Sequence, residues 1–527
     1  MQTNQLAGTE RRRRTRLIKA IVFVGGMSSI GIELTASRLL APYFGDSTFI
    51  WANLIGLTML YLSIGYRFGG RVADRRPDPA LLFTLTAIAG LFTALIPIIS
   101  RPILRISVDA FDNVSIGAFY GSLLGVLILF AVPMTLFGFV SPFAIRLMVD
   151  DLSTAGNTSG GIYALSTIGS IAGSFLPVIV LIPLVGTAKT FYIFAAALVL
   201  LSLIGLFRTR ATEVAAGTAA AAVIIAIVIG VFGGGQIKPP YRGELIYEAE
   251  SQYNYIQVLE DNGRILLALN EGQAIHSIYD PNQLTTGGPW DYFTLGPLFS
   301  DQYQQQDVDS ALIVGLAGGT AARELSAAYP GIAIDGVEID GTIADLGVEY
   351  FGLGEVPNLT TYVEDGRWFL ERTDGRYDIV AVDAYHQPYI PFQLSTVEFF
   401  ELVRDHLTEN GAAVINVGRT ETDFRLVDAI SSTMREVFPY VFAVDVERFD
   451  NTMLIGMMEP ASIDAFFEHA GMAADDSLIR VVSDMATQSG NVRPGPSGGR
   501  IFTDDHAPIE FVTDLIILDA AREGDEP

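Results

Sequence analysis

The stretch ALIVGLAGGTAARELSAAYP, residues 311–330, decides the fold. Ala311 to Val314 is a short apolar run of the kind that forms a buried strand. Glycines 315, 318 and 319 then interrupt it, and from residue 320 the apolar residues return with helical spacing. Strand, glycine-rich turn and helix in that order let backbone N–H groups face a nucleotide or a sulfonium-bearing nucleoside.

Outward from that turn the same alternation continues. Further strands are expected at Ile334–Glu338, Thr360–Val363, Asp378–Val382, Ala412–Val417, Val441–Val446 and Thr452–Met457. Helices are expected between them at 320–329, 366–372 and 395–408, the last closed by Asn410-Gly411. This pattern specifies a mostly parallel sheet covered by helices on both faces, with ligands at the carboxyl ends of the strands. Three acids fall at such ends. Glu338 stands 23 residues after Gly315, where a carboxylate can accept both ribose hydroxyls. Asp365 follows the third strand, positioned for the amino group of an adenine, with Gly366 beside it. Asp383 ends the fourth. Upstream, residues 245–277 alternate as strands and turn at Asp261-Asn262-Gly263, a hairpin signal.

The first half is different in kind. Apolar spans near 17–40, 49–68, 80–100, 117–145, 162–184, 187–207 and 214–233 make seven helices of a length to cross a lipid bilayer. The first is too polar inside, and too closely followed by others, to be a signal peptide. Glu33 and Arg38 near the end of the first span read either as part of a substrate or proton pathway, or as an interfacial acid and a snorkelling arginine pairing with a neighbouring helix. The Gly/Pro-rich segment 233–243 links the halves. The expected divisions are 1–236 for the membrane bundle, 243–300 for a β-rich part and 301–520 for the nucleoside-binding domain.

Charge follows the same boundary. Residues 1–242 hold 10 acids and 19 bases, net +9, whereas 243–527 hold 49 acids and 14 bases, net −35. Such an acidic soluble half excludes nucleic acid as a partner. Only three lysines occur against 30 arginines; a lysine-poor acidic surface fits a halophilic protein, or an acidic genome bias. The absence of cysteine excludes disulfides and thiolate metal sites, and no metal is expected. The basic loops 11–16, 67–76 and 207–210 fall on one side if the seven spans alternate, and the positive-inside rule makes that side cytoplasmic. The acidic half would then lie outside, whereas sulfonium nucleosides are cytosolic. One miscounted span, most readily in 117–149, would bring it inside, so a cytoplasmic soluble domain is expected against the charge count.

The segments YNYIQV (253–258), GLAGGTAARE (315–324), VEID (337–340), EDGRWFL (364–370), YDIVAVDAY (377–385) and STVEFFELVRDHLTENGAAVINV (395–417) resemble the spermidine synthase family of aminopropyltransferases. ELTASRLLAPYFGDS (33–47), LSIGYRFGGRVADR (62–75) and FTDDHAP (502–508) are similar to its membrane-fused branch. The resemblance implies an α-helical transmembrane bundle, then a small β-hairpin region, then an α/β Rossmann-like domain of the S-adenosylmethionine methyltransferase type. It implies decarboxylated S-adenosylmethionine or S-adenosylmethionine as co-substrate, a putrescine-like amine as acceptor, and a homodimer. By position, Gly315, Gly318 and Gly319 form the nucleoside turn, Asn254 and Gln273 stand for two glutamines near the nucleoside, Glu338 is the ribose-binding acid, Asp365 with Gly366 the adenine side, and Asp383 the catalytic acid. Two departures matter. Gly318 occupies the place of an Asp that holds the donor's amine, and His386 that of a second active-site Asp. The segment after Tyr292 also lacks the family's Glu and His. Both substitutions remove negative charge where an amine-bearing donor and a polyamine acceptor need it. His386 offers an alternative base. Aminopropyl transfer is therefore expected, with methyl transfer from intact S-adenosylmethionine as the rival, and a transporter or sensor with a non-catalytic ligand-binding domain as a third reading.

Overall fold

The computed structural model describes residues 2–45, 48–111, 117–149, 151–270, 274–386, 388–475, 477–487 and 491–523. The chain divides into two compact units, residues 1–239 with 250–252, and residues 240–249 with 253–527.

The first unit is helical. Among the described residues, seven helical segments are long and apolar enough to cross a membrane: Arg12–Phe44, Phe49–Arg75, Pro79–Val108, Phe119–Met148, Leu152–Val185, Thr187–Arg208 and Thr212–Phe232. The 117–149 stretch forms one helix, Gly117–Met148, so the described residues give no eighth crossing there. Ile32, Leu40, Phe130, Phe191 and Phe194 are buried between helices, while Met59, Leu60, Ile168, Ile171, Ile224 and Ile227 face outward, the distribution that a lipid solvent favours. Small residues set close helix crossings. A Cβ on Gly65 would lie 2.1 Å from the Thr135 carbonyl oxygen, so only glycine lets those two backbones meet. Glu33 hydrogen-bonds Thr58 of the next helix.

The second unit opens with a four-stranded sheet in the order β1-β2-β3-β4: β1 Glu244–Glu250, β2 Tyr255–Asp261, β3 Arg264–Leu269 and β4 Ile275–Tyr279. The β2–β3 hairpin turns where expected. Asn262 and Gly263 both take positive φ, 55° and 80°, the geometry a two-residue turn requires to match strand twist.

The main sheet has eight strands: β5 Ser310–Val314, β6 Ala333–Glu338, β7 Leu359–Val363, β8 Tyr377–Val382, β9 Leu407–Gly418, β10 Tyr440–Val446, β11 Asn451–Met457 and β12 Val492–Pro494. Their order is β12-β10-β11-β9-β8-β5-β6-β7. The five strands β9, β8, β5, β6 and β7 are parallel, and β10, β11 and β12 pair antiparallel. Alternate residues of β5 feed two different cores: Ala311 and Ile313 enter one with Phe299, Phe442 and Phe466, and Leu312 and Val314 enter the other with Phe369, Phe399 and Phe438. A strand buried on both faces reads as a continuous apolar run. One expected boundary is corrected. The helix Val397–Asp405 ends at its cap His406, and Asn410-Gly411 lies inside β9. There the register against β8 shifts between Tyr377 and Ile379. Asn-Gly marks an irregularity in a strand here, a role glycine plays as often as helix closure.

Candidate active site

Chain order explains where the site must be. From β5 the chain runs outward through β6 and β7, then crosses back to β8 on the other side of β5. The carboxyl ends of β5 and β8 flank that switch point, where a crevice opens in such sheets. Gly315 follows β5 with φ 92°. Its Cβ, if present, would lie 2.6 Å from the Asp383 carbonyl oxygen, so the turn presses against the end of β8, and Asp383 donates its N–H to the Val314 carbonyl at 2.8 Å. Ala317 and Gly319 also take positive φ. Gly319 caps the helix Thr320–Ala328.

The three acids stand at neighbouring strand ends, β6, β7 and β8 around β5. Glu338 is 7% exposed. One of its oxygens accepts the Ala317 N–H at 2.9 Å and the other the Asp340 N–H at 3.0 Å. Burial pushes it up to about 7 against those lowering hydrogen bonds. Asp365 caps the short helix Gly366–Leu370 by accepting the Trp368 N–H at 2.9 Å. Gly366 packs on β5, where a Cβ would lie 2.4 Å from Val314 Cγ1. Asp383 accepts from Asn416 Nδ2 at 2.8 Å and hydrogen-bonds the Trp290 side chain. Burial pushes it up to about 7, the two hydrogen bonds opposing the rise.

The remaining expected residues lie as follows. Asn254 donates to the Asp340 carboxylate at 2.9 Å and accepts from Asn270 at 3.1 Å. Asp340 in turn caps the helix Gly341–Tyr350 through the Thr342 N–H. Asn254 thus belongs to a polar chain running from the small sheet to the residues behind Glu338. Gly318 donates its N–H to Ser277 Oγ at 2.8 Å. A Cβ there would meet Ser277 Cβ at 2.9 Å and Phe351 Cγ at 3.0 Å, so the place of the family's Asp has no room for one. His386 exchanges main-chain hydrogen bonds with Tyr389, which folds the segment after Asp383 back on itself. Gln273 lies outside the described residues. Asp504, in the late DDHAP segment, is bound by both Arg367 guanidinium nitrogens at 2.8 and 2.6 Å and by Thr396 Oγ1 at 2.7 Å. The Arg367 pairing holds it below the usual carboxylate range.

Three participants escaped the sequence reading. Trp290 and Asn416 hold Asp383, and His276 on β4 feels the charge of His386. Asn416, a lone amide in the apolar run AAVINV, carried a signal: a polar side chain within a buried strand needs a partner. His276 and Trp290 carried none. A separate cleft lined by Tyr303, Asp307, Asp378 and Thr408 lies at the amino ends of the strands, the opposite edge from the acids.

Residues 297–461 match the model of the spermine/spermidine synthase domain. The second unit is spermidine synthase-like. The chain is 33% identical over 303 residues to a "Probable polyamine aminopropyl transferase" of Bifidobacterium longum, covering 53% of this chain and 66% of that protein, just under two thirds of its length. It is 29% identical over 227 residues to a polyamine aminopropyltransferase of Vibrio vulnificus, covering 41% of this chain and 73% of the relative. Over 155 residues it is 24% identical to the eEF1A lysine and N-terminal methyltransferase of Xenopus laevis, 28% of this chain and 22% of that one. Among solved structures, a spermidine synthase from Thermotoga maritima covers 42% of this chain and 76% of its own, at 18% identity and a TM-score of 0.34. Glu338, Asp365 and Asp383 all lie within the matched residues; Glu338 ends β6, and Asp365 and Asp383 follow β7 and β8. Among the described residues no group of three metal-ligating side chains occurs.

Proposed function

We propose that the protein is an integral membrane aminopropyltransferase that moves the aminopropyl group of decarboxylated S-adenosylmethionine to a putrescine-like amine. The observation that carries this reading is Asp383, fixed by Asn416 and Trp290 beside the glycine turn. An amine at neutral pH is mostly protonated and has no lone pair to attack with. A carboxylate pushed up to about 7 is matched to accept that proton near neutrality. Then the nitrogen bonds to the methylene beside the sulfonium, the carbon–sulfur bond breaks, and the thioether nucleoside leaves with the bonding pair. The freed proton ends on Asp383. Much of the remaining acceleration is orientation.

The chain's residues fit the co-substrate. The two oxygens of Glu338 accept backbone N–H groups of Ala317 and Asp340, and a carboxylate offers about four acceptor sites, which leaves capacity for a ribose hydroxyl. Asp365 uses Oδ1 as a cap and has its second oxygen for the adenine amino group. Asn254 acts through Asp340, as a positioning residue.

A second reading has one observation in its favour. Gly318 is neutral and walled by Ser277 and Phe351, so the turn carries no charge to repel the carboxylate of intact S-adenosylmethionine, and methyl transfer is the alternative; the methyltransferase named above is a relative of that kind. Calorimetry on the full-length protein in detergent separates the two. Decarboxylated donor binding about tenfold tighter than intact donor, about 1.4 kcal/mol, is expected for aminopropyl transfer. Equal or reversed preference would favour the methyltransferase.

A further inference from the structure

The small sheet, where it meets the glycine turn, holds a buried nitrogen that the mechanism above does not use. His276 lies on β4, whose next residue, Ser277, receives the Gly318 N–H, and whose Ile278 exchanges hydrogen bonds with Thr320 Oγ1 at the start of the following helix. β4 is thereby stitched across the glycine turn. Its histidine is held in the neutral form first by burial and then by His386, three residues past Asp383. His276 Nε2 is buried and has no hydrogen-bond partner. A buried polar atom left unpaired is costly, and it points to a group that completes it. Burial also drives this imidazole down to about 4, so it is neutral whenever the enzyme works.

We propose that His276 is a specificity-determining residue for the acceptor, its Nε2 accepting a hydrogen bond from the acceptor's attacking amine. This rests on the transferase reading. The stereochemistry favours it: an attacking nitrogen must aim its lone pair at the methylene, so only hydrogen-bond acceptors can hold it. Asp383 takes one N–H and a bare imidazole nitrogen takes another. The result is an acceptor pocket that reads N–H groups through a neutral atom in addition to a carboxylate, so a tertiary amine of the same length and charge is rejected.

The test is calorimetry on full-length protein saturated with 5′-methylthioadenosine, the nucleoside product, titrated with butane-1,4-diamine and with its N,N,N′,N′-tetramethyl derivative. Wild type is expected to bind the diamine about tenfold more tightly than the tetramethyl compound. His276→Leu is expected to weaken diamine binding about tenfold and to abolish the preference. His276→Gln, whose carbonyl oxygen can accept the same hydrogen bond, is expected to keep both within threefold. Nucleoside binding should be unchanged in both variants, a readout that a merely structural role or a misfolded variant would not preserve. If the nucleoside binds but His276→Leu leaves diamine affinity and the preference intact, or if wild type shows no preference, the role of His276 is overturned. Failure of the nucleoside itself to bind wild type would instead overturn the transferase reading, and His276's role with it.

Discussion

Asp383 has to be ionised to take a proton, yet its burial favours the neutral form, and this conflict sets the pH behaviour. Its value in the folded protein, about 7, lies above the ordinary value near 4. Below about 4 the acid is neutral in both folded and unfolded chains. As pH rises through 7 the folded protein must charge a buried group, so the stability held at low pH is lost across that window. Glu338, raised to about 7 by the same cause, adds to it. The ligand-free protein should therefore melt at lower temperature at pH 8 than at pH 5.5, and a sulfonium nucleoside, whose positive charge favours both carboxylates, should narrow the gap. In kinetics, kcat/KM should show an acid limb near pH 7, and the limb in kcat should lie lower because the bound cation favours the carboxylate. A flat profile between pH 5.5 and 8 would contradict a general base at this position. Asp383→Asn should lower kcat about a thousandfold with donor affinity within threefold of wild type. Gly318→Asp, which restores the family's residue, should destabilise by about 1–3 kcal/mol because its Cβ meets Ser277 and Phe351; Ser277→Gly beside it should recover part of that loss in thermal melts.

At the scale of elements, the helix Thr320–Ala328 carries a buried acid outside the candidate site. Glu324 is fully buried, and burial together with neighbouring Asp291 raises it well above the usual range. Asp291 itself is held by Thr286 and the Gly287 N–H, in the segment that delivers Trp290 to Asp383. Burial favours the neutral form of Glu324, which also avoids two like charges side by side. Glu324→Gln, also neutral, should then cost less than about 1 kcal/mol, whereas Glu324→Ala opens a cavity and should cost about 2–4 kcal/mol, measured by chemical denaturation. Equal costs would mean that Glu324 is ionised. The elements themselves were largely legible. Strands β5, β8 and β11 are nearly continuous apolar runs because both sheet faces are covered there, and the Asn-Gly hairpin announced itself through its positive-φ requirement. What escaped has physical reasons. Strand β12 is three residues long, too short for periodicity. The Asn410-Gly411 pair suits a bulge and a helix end equally. The acids could be read because strand ends follow from strand boundaries; the partners of Asp383, Trp290 and Asn416, could not, because they reach it from separate segments that only the tertiary fold brings together.

At the scale of the whole chain, the +9 and −35 halves fit the proposed division of one polypeptide between lipid and water. The acidic unit should gain stability as salt screens its self-repulsion, seen as a rising melting temperature between low salt and molar potassium chloride. Its side of the membrane is open to direct measurement because the chain has no cysteine. Ser497→Cys, exposed on the second unit, should be protected from a membrane-impermeant maleimide in intact cells if that unit faces the cytoplasm, where sulfonium nucleosides are made; labelling without lysis would place it outside, as the loop charges alone suggest. The central claim is chemical, and the mass of the product tests it most directly. Purified full-length protein, given decarboxylated S-adenosylmethionine and butane-1,4-diamine, should yield a diamine heavier by one aminopropyl group, and Asp383→Asn should yield almost none. An unmodified diamine, a methylated product when intact S-adenosylmethionine is supplied instead, or an aminopropyl product that forms equally well without Asp383 would contradict it.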